Sequence, residues 1–200
     1  MRLGILGGTF DPPHVGHFLG AVDALERLPL DRMVVVPAAT QPLKADRETA
    51  PAADRLAMAR LAFGDDPRFE VDPIEMERPG LSYTVDTLTA FADRHAGSEL
   101  FFVTGADVVR TFGKWREPER VARLAQLVVL ARTGAGSGEG SGEDAAGRRA
   151  LEAHGARFLA SRRVDVSSTE VRARVRAGKS IRGFVPDAVA AYIVRAGLYR

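Results

Sequence analysis

The strongest constraint on the fold is the regular alternation of short apolar runs with helix-length stretches, which begins at the first residues of the chain. Arg2 to Leu6 reads as a strand, Val15 to Leu28 as a helix, Arg32 to Pro37 as a strand and Ala52 to Phe63 as a helix. The second half continues in the same way. Val85 to Ala96 reads as helical, Leu100 to Thr104 and Gln126 to Arg132 as strands, Glu143 to His154 as a helix, and Arg157 to Leu159 as a short strand. Runs that are apolar throughout belong to strands covered on both faces. The expected architecture is therefore α/β, a Rossmann-like doubly wound parallel sheet with helices on both faces. Two closing helices, starting near Ser168 and Pro186, add a small C-terminal helical portion. Ser167 with Glu170 forms a capping box for the first, and Pro186 suits the first helical position of the second.

A length of 200 residues with 46% apolar content suits one core, so residues 1–200 are expected to form a single domain. The Gly/Ser-rich stretch 133–142 (TGAGSGEGSG) lacks a complete G-x-G-x-x-G and reads as a flexible loop inside that domain. Cysteine is absent, which removes disulfides, thiolate metal sites and a cysteine nucleophile, and fits a reducing compartment. The opening run Leu3-Gly4-Ile5-Leu6 is too brief for a signal peptide. No apolar run approaches the roughly 20 residues of a membrane span, so a cytoplasmic protein with no membrane partner is expected. A net charge of +2 with no basic stripe interleaved with aromatics gives no nucleic-acid track. Gly178-Lys179-Ser180 looks like the end of a P-loop, but Ala173 stands where the first glycine belongs. It reads as a helix C-terminus.

The first strand runs into Gly7-Gly8-Thr9-Phe10-Asp11-Pro12-Pro13-His14-Val15-Gly16-His17, and a helix follows at once. In a doubly wound sheet, ligands bind beyond the carboxyl ends of strands, where a helix start offers unpaired N–H groups and a partial positive charge to a phosphate. Gly7 and Gly8 allow close approach of backbone to ligand. His14 and His17 are three apart, so they share one face and can both donate when protonated, while Gly16 removes a side chain that would crowd the space between them. Two capping or core histidines in a glycine-rich turn would be the plain alternative. A zinc site lacks a third and fourth ligand at metal spacing.

GGTFDPPHVGH resembles the signature of the T/H-x-G-H nucleotidyltransferases. An ordered set of later landmarks makes the chain similar to the bacterial nicotinate-mononucleotide adenylyltransferases. These are Pro37 through Lys44, Ser82-Tyr83-Thr84-Val85-Asp86-Thr87, Gly105-Ala106-Asp107, Lys114-Trp115, Val166-Ser167-Ser168-Thr169 with Arg172, and Tyr192-Ile193 with Gly197-Leu198-Tyr199. The similarity runs from Arg2 to Tyr199 outside the Gly/Ser-rich stretch. It implies transfer of AMP from ATP to nicotinate mononucleotide, giving nicotinate adenine dinucleotide and pyrophosphate in NAD biosynthesis. Mg²⁺ would be held mainly by phosphate oxygens and water.

By the same resemblance His17, and then His14, are the catalytic donors. Gly7, Gly8, Thr9, Phe10, His14, His17, Gly105, Asp107, Ser168, Thr169 and Arg172 meet ATP, and Lys44, Tyr83, Thr84 and Trp115 meet the mononucleotide; no side chain is a metal ligand. Each role has its chemistry. Ser168, Thr169 and Arg172 place two hydroxyls and a guanidinium at the positive end of a helix, which suits the β- and γ-phosphates, although Ser167 with Glu170 explains part of that motif as a cap. Asp107 follows a strand and suits either adenosine or a helix cap. Trp115 is the only tryptophan and sits between Lys114 and Arg116, where an aromatic face can stack on a nicotinate ring. Thr84 suits the substrate carboxylate or an N-cap.

Two positions depart from the family pattern. Leu43 stands where a histidine is usual, so a second cationic donor just before Lys44 is missing, and Pro13 replaces a common aliphatic residue. Other acceptors stay open within the superfamily. Tyr83-Thr84 and Lys114-Trp115 argue against phosphopantetheine, while preference for the acid over the amide mononucleotide rests on the resemblance. A nucleotide sensor without turnover is the reading from another class.

Overall fold

The computed structural model describes residues 1–42, 48–132 and 142–200. In chain order these form β1 (Arg2–Gly8), α1 (Val15–Arg27), β2 (Arg32–Pro37), α2 (Ala52–Phe63), β3 (Phe69–Val71), α3 (Thr84–Arg94), β4 (Glu99–Gly105), α4 (Pro118–Leu124), β5 (Gln126–Arg132), α5 (Gly142–Ala153), β6 (Arg157–Ser161), α6 (Ser168–Arg176) and α7 (Asp187–Ala196). Segments of 3-10 helix at Ala106–Arg110 and Phe112–Lys114 lie between β4 and α4.

The strands pair in parallel in the order β3-β2-β1-β4-β5-β6. This is the doubly wound order, in which the winding direction reverses between β1 and β4 and opens a crevice at their carboxyl ends. Ile5 lies beside both Val34 and Phe102 in the register, so the two halves of the sheet meet on β1.

The period of two along each strand sorts its side chains into two cores. Leu3, Ile5, Val34, Val36, Leu100, Phe102, Leu127 and Val129 face α3 and α5, where Val85, Leu88, Phe91 and Leu151 close the layer. Leu6, Met33, Val35, Phe101, Val103 and Val128 face the other way, against Ala21, Ala24 and Leu25 of α1 and Phe63 of α2. Helices thus cover both faces. A third cluster, Met58, Val171, Ile181, Val185, Val189 and Ile193, fastens α6 and α7 onto α2. Asp23, buried on α1, takes the main-chain N–H of Arg162 at 2.9 Å and its guanidinium at 2.7 Å, which ties α1 to the chain leaving β6. Burial pushes the Asp23 carboxyl up, but the bonds from Arg162 outweigh it and hold the group below its ordinary value.

Several expectations shift in detail. β3, α4 and the 3-10 segments were not signalled by the apolar pattern: three residues, or seven with one buried valine, are too few to show a period. Pro186 is the residue before α7 and not its first, because its ψ of 146° is extended. Ser167 Oγ does accept the Glu170 N–H, at 3.1 Å. Gly178 lies past the end of α6 at φ 64°, where its N–H and that of Lys179 close the helix onto Val175 and Arg174 carbonyls, so the P-loop look-alike is a helix end. Of the Gly/Ser-rich stretch, 133–141 falls outside the described residues and Gly142 opens α5. No helix among the described residues is long and apolar enough to cross a membrane.

Candidate active site

The loop leaving β1 crosses the crevice edge. A Cβ on Gly8 would lie 2.9 Å from Phe10 Cζ, and one on Gly7 would lie 3.1 Å from Phe102 Cζ. The glycines therefore let two aromatic rings close on the strand end, a packing need that the sequence alone does not separate from ligand approach. Phe10 has φ 50° and its ring is 2% exposed, edge-on to Phe63 and to His17 with centroids 6.0 and 5.2 Å apart. The ring of Phe10 is therefore part of the core beside α1 and α2.

The carbonyls of this loop are tied from behind. Arg55 Nη1 donates to Thr9 O at 3.0 Å, Arg172 Nη1 to Asp11 O at 2.7 Å and Ser168 Oγ to Pro12 O at 2.8 Å. Pro12 and Pro13 have no N–H, whereas the Phe10 N–H points away from the carbonyl that Arg55 holds, on the opposite side of a planar peptide. Arg55 was not singled out by the sequence. Only 2% exposed, its guanidinium also donates to Ala39 O at 2.8 Å, Ala50 O at 3.0 Å and Ala38 O, so one side chain joins the loop after β1 to both ends of the connection between β2 and α2. Thr9 Oγ1 adds a bond to Gln41 Oε1 at 3.2 Å.

His14 is the N-cap of α1. Its Nδ1 accepts the Gly16 N–H at 3.1 Å, and His17 Nδ1 accepts the His14 N–H at 3.1 Å, with the two rings 3.7 Å apart. A Cβ on Gly16 would come within 3.0 Å of the His14 ring, so that glycine is needed for the cap itself. Both Nδ1 atoms act as acceptors, so the protons of the neutral rings sit on Nε2. The capping alternative is thus realised, and with the proton on Nε2 neither ring needs to be protonated in order to be a donor.

Beside this loop, between the ends of β1, β2 and β4, lies a cavity of about 230 Å³. Gly7, Gly8, Tyr83, Thr84, Asp107 and Trp115 all line it, so residues spread over more than a hundred positions converge on one cavity. Trp115 is half-buried, edge-on to Phe102 at 5.9 Å and tilted on Phe112 at 5.5 Å. Arg116 covers the Tyr83 ring at 4.9 Å. Thr84 is the first residue of α3 and Tyr83 is the cap, with no side-chain bond at that end; the N-cap alternative for Thr84 falls. Gly105, not Asp107, precedes the 3-10 turn, so Asp107 is not its cap either.

The wall also contains Glu75, which the sequence reading missed because a single Glu in an irregular stretch has no pattern. Its Oε1 accepts from Thr87 Oγ1 at 2.6 Å, and Thr87 in turn accepts from Arg78 Nη2 at 2.5 Å. Burial pushes the Glu75 carboxyl above its ordinary value, against the hydrogen bonds from Thr87 and Ser82 and the charge of Arg78. Ser82 Oγ accepts the Ala39 N–H at 3.0 Å, which fixes the Ser82-Tyr83-Thr84 turn to the loop after β2.

Ser168, Thr169 and Arg172 lie in the first turns of α6, where Ser168 and Arg172 touch the loop, and none of the three lines this cavity. Ser168 has its proton committed to Pro12, and Arg172 leans on Asp11, while Thr169 is exposed with its Oγ1 3.4 Å from Arg172 Nη2. Lys44 lies outside the described residues. Among the described residues no three His, Asp or Glu side chains are grouped to hold a metal ion.

The model of the cytidylyltransferase-like family matches residues 5–174. A relative from Gemmatimonas aurantiaca is 50% identical over 200 residues, covering 100% of this chain and 93% of the relative. One from Thermus thermophilus is 44% identical over the whole of both chains. Both carry the name "Probable nicotinate-nucleotide adenylyltransferase". Among solved structures, the Plasmodium falciparum nicotinic acid mononucleotide adenylyltransferase complexed with APC superposes with a TM-score of 0.75 at 16% identity, covering 99% of this chain and 96% of that one. The same enzyme complexed with NaAD superposes at 0.74. At that identity the likeness speaks for the fold.

Proposed function

The chain belongs to the cytidylyltransferase-like family and, within it, to the nicotinate-nucleotide adenylyltransferases, and on that premise we propose how its residues share the work of moving AMP from ATP to nicotinate mononucleotide. An oxygen of the mononucleotide phosphate forms a bond to the α-phosphorus of ATP, the bond from that phosphorus to the bridging oxygen breaks, and pyrophosphate leaves with the electron pair. The products are nicotinate adenine dinucleotide and pyrophosphate. The nucleophile is ionised near neutral pH, since a phosphate monoester loses its second proton around pH 6. Alignment and charge stabilisation are then what the protein must supply.

One observation carries the reading: the reciprocal cap, in which both Nδ1 atoms accept, fixes the rings of His14 and His17 side by side at the start of α1, beside a cavity lined by Tyr83, Thr84 and Trp115. In this reading His17, assisted by His14, donates to the triphosphate as charge builds on it. The main chain of Gly7, Gly8, Thr9 and Phe10 follows the phosphates, with Gly105 and Asp107 on the adenosine side. Arg172, with Thr169 and the lone pairs of Ser168, takes the β- and γ-phosphates. Trp115 and Tyr83 enclose the nicotinate ring, the first turn of α3 at Thr84 takes the carboxylate, and Lys44 meets the mononucleotide phosphate. Mg²⁺, as the resemblance implies, would be carried mainly by phosphate oxygens and water. Small molecules are the only partners this scheme needs. A single domain over 1–200 working in the cytoplasm, where ATP is supplied, completes it.

Pyrophosphate release from ATP and Mg²⁺, with nicotinate and nicotinamide mononucleotides as parallel acceptors, tests it. Strong preference for the acid is expected. Equal use would remove the carboxylate site at Thr84, and silence with both would overturn the assignment.

A further inference from the structure

The nucleotide loop is braced by the C-terminal helices. α7 ends at Gly197 in a left-handed turn, φ 66°, and Tyr199, at φ 63°, packs its ring against the cluster of Met58, Val171 and Ile193. Its hydroxyl donates to Asp11 Oδ1 at 2.7 Å, the oxygen that also accepts the Ala50 N–H at 3.1 Å. The other carboxylate oxygen is 3.6 Å from Arg172 Nη1, and the same nitrogen donates to the Asp11 carbonyl at 2.7 Å. Asp11 is 4% exposed, so this ion pair is weakly screened. Burial and the bond to Asp11 raise the Tyr199 hydroxyl above its ordinary value, so it stays a donor.

We infer that Tyr199 is a positioning residue for the triphosphate: by holding Asp11 Oδ1 away from Arg172, it keeps the outer edge of that guanidinium turned to the nucleotide. The inference rests on the reading of Arg172 as the β,γ-phosphate grip. A guanidinium has five donors in a fixed fork, and only Nη1 is committed to Asp11. Without the tyrosyl hydroxyl, Asp11 keeps one neutral donor on Oδ1. Its carboxylate then rotates toward Arg172, pairs with it more fully, and withdraws donors from the phosphates.

Tyr199→Phe keeps the ring and removes only the hydroxyl. Calorimetric titration should show ATP binding weakened by about fivefold, the scale of one lost hydrogen bond, with AMP binding unchanged. In the reverse reaction KM for pyrophosphate should rise by the same factor, while KM for nicotinate mononucleotide in the forward direction stays within about twofold. In an Arg172→Ala background the same change should have no further effect. Wild-type ATP binding by Tyr199→Phe, or equal weakening of ATP and AMP, overturns the inference while leaving the reading of Arg172 intact provided that Arg172→Ala itself loses ATP. Unchanged ATP binding by Arg172→Ala would sink both.

Discussion

Arg55→Lys is the change that most directly tests how the site is held together. The guanidinium reaches four carbonyls, those of Thr9, Ala38, Ala39 and Ala50; the bonds to Ala38 and Ala50 are fully buried, while those to Thr9 and Ala39 are partly open to water. A lysine has three donors radiating from one atom and cannot span this fan, so it will satisfy one or two of the four. Water can reach the partly open carbonyls. A buried acceptor left without a partner costs about 1–3 kcal/mol, so orphaning Ala38, Ala50 or both gives a loss of about 2–4 kcal/mol once the smaller cation's own contacts are counted. Urea unfolding, followed by the fluorescence of the single tryptophan, Trp115, will read this. With a slope of about 2 kcal/mol/M the midpoint should fall by about 1–2 M, and Tm by about 6–12 °C. KM should rise for both substrates, because Arg55 joins the loop after β1 to the loop after β2. A stability change under about 1 kcal/mol would refute the reasoning, since the four bonds would then carry no net weight.

Further predictions concern single functions of the site. His17→Ala should lower kcat by about 10²-fold or more through loss of an Nε2–H donor, and should also cost about 1 kcal/mol, because His17 Nδ1 takes the His14 N–H. Steady-state rates and thermal unfolding measured together check both; near-normal turnover sinks its role. Trp115→Ala should chiefly raise KM for the mononucleotide, and an effect confined to ATP would mean that the two halves of the crevice are exchanged. Glu75 has a folded-state pKa raised by burial, so its contribution to stability is fully present below its unfolded value and is lost as pH rises through the folded one. Glu75→Gln should therefore match the wild type in denaturation midpoint near pH 4 and exceed it near pH 8. A lower midpoint at pH 8 would show that the Thr87 and Ser82 bonds to the carboxylate outweigh the cost of burying its charge.

The long elements were legible because their periods are long enough to count. β2, α2 and β5 begin and end where the apolar runs do, and α1 and α3 shift by one or two residues at their ends. β3 and α4 were not legible: with three and seven residues they take their conformation from the neighbours they pair with or cover. Among candidate site residues, the histidines stood out through their spacing within a glycine-rich strand-to-helix turn and through the family resemblance, since three positions at a helix start place two rings on one face. Arg55 and Glu75 carried no such mark. An arginine within a helix looks solvated until the loops that bury it are placed, and a glutamate between Ile74 and Met76 gives no hint that Thr87 will meet it.

What the sequence determined by itself was the sheet, its two faces and the loop at its edge, because strand alternation, helix period and glycine-rich turns are local properties. The tertiary structure alone decided which side chains hold that loop. Phe10 turned into the core and Ser168 and Arg172 onto the loop's carbonyls, while Tyr199, nearly the whole chain away, reached Asp11. A buried carbonyl or carboxylate must be paired, and the partner is whichever donor the folded chain brings within about 3 Å, a condition that sequence distance does not record.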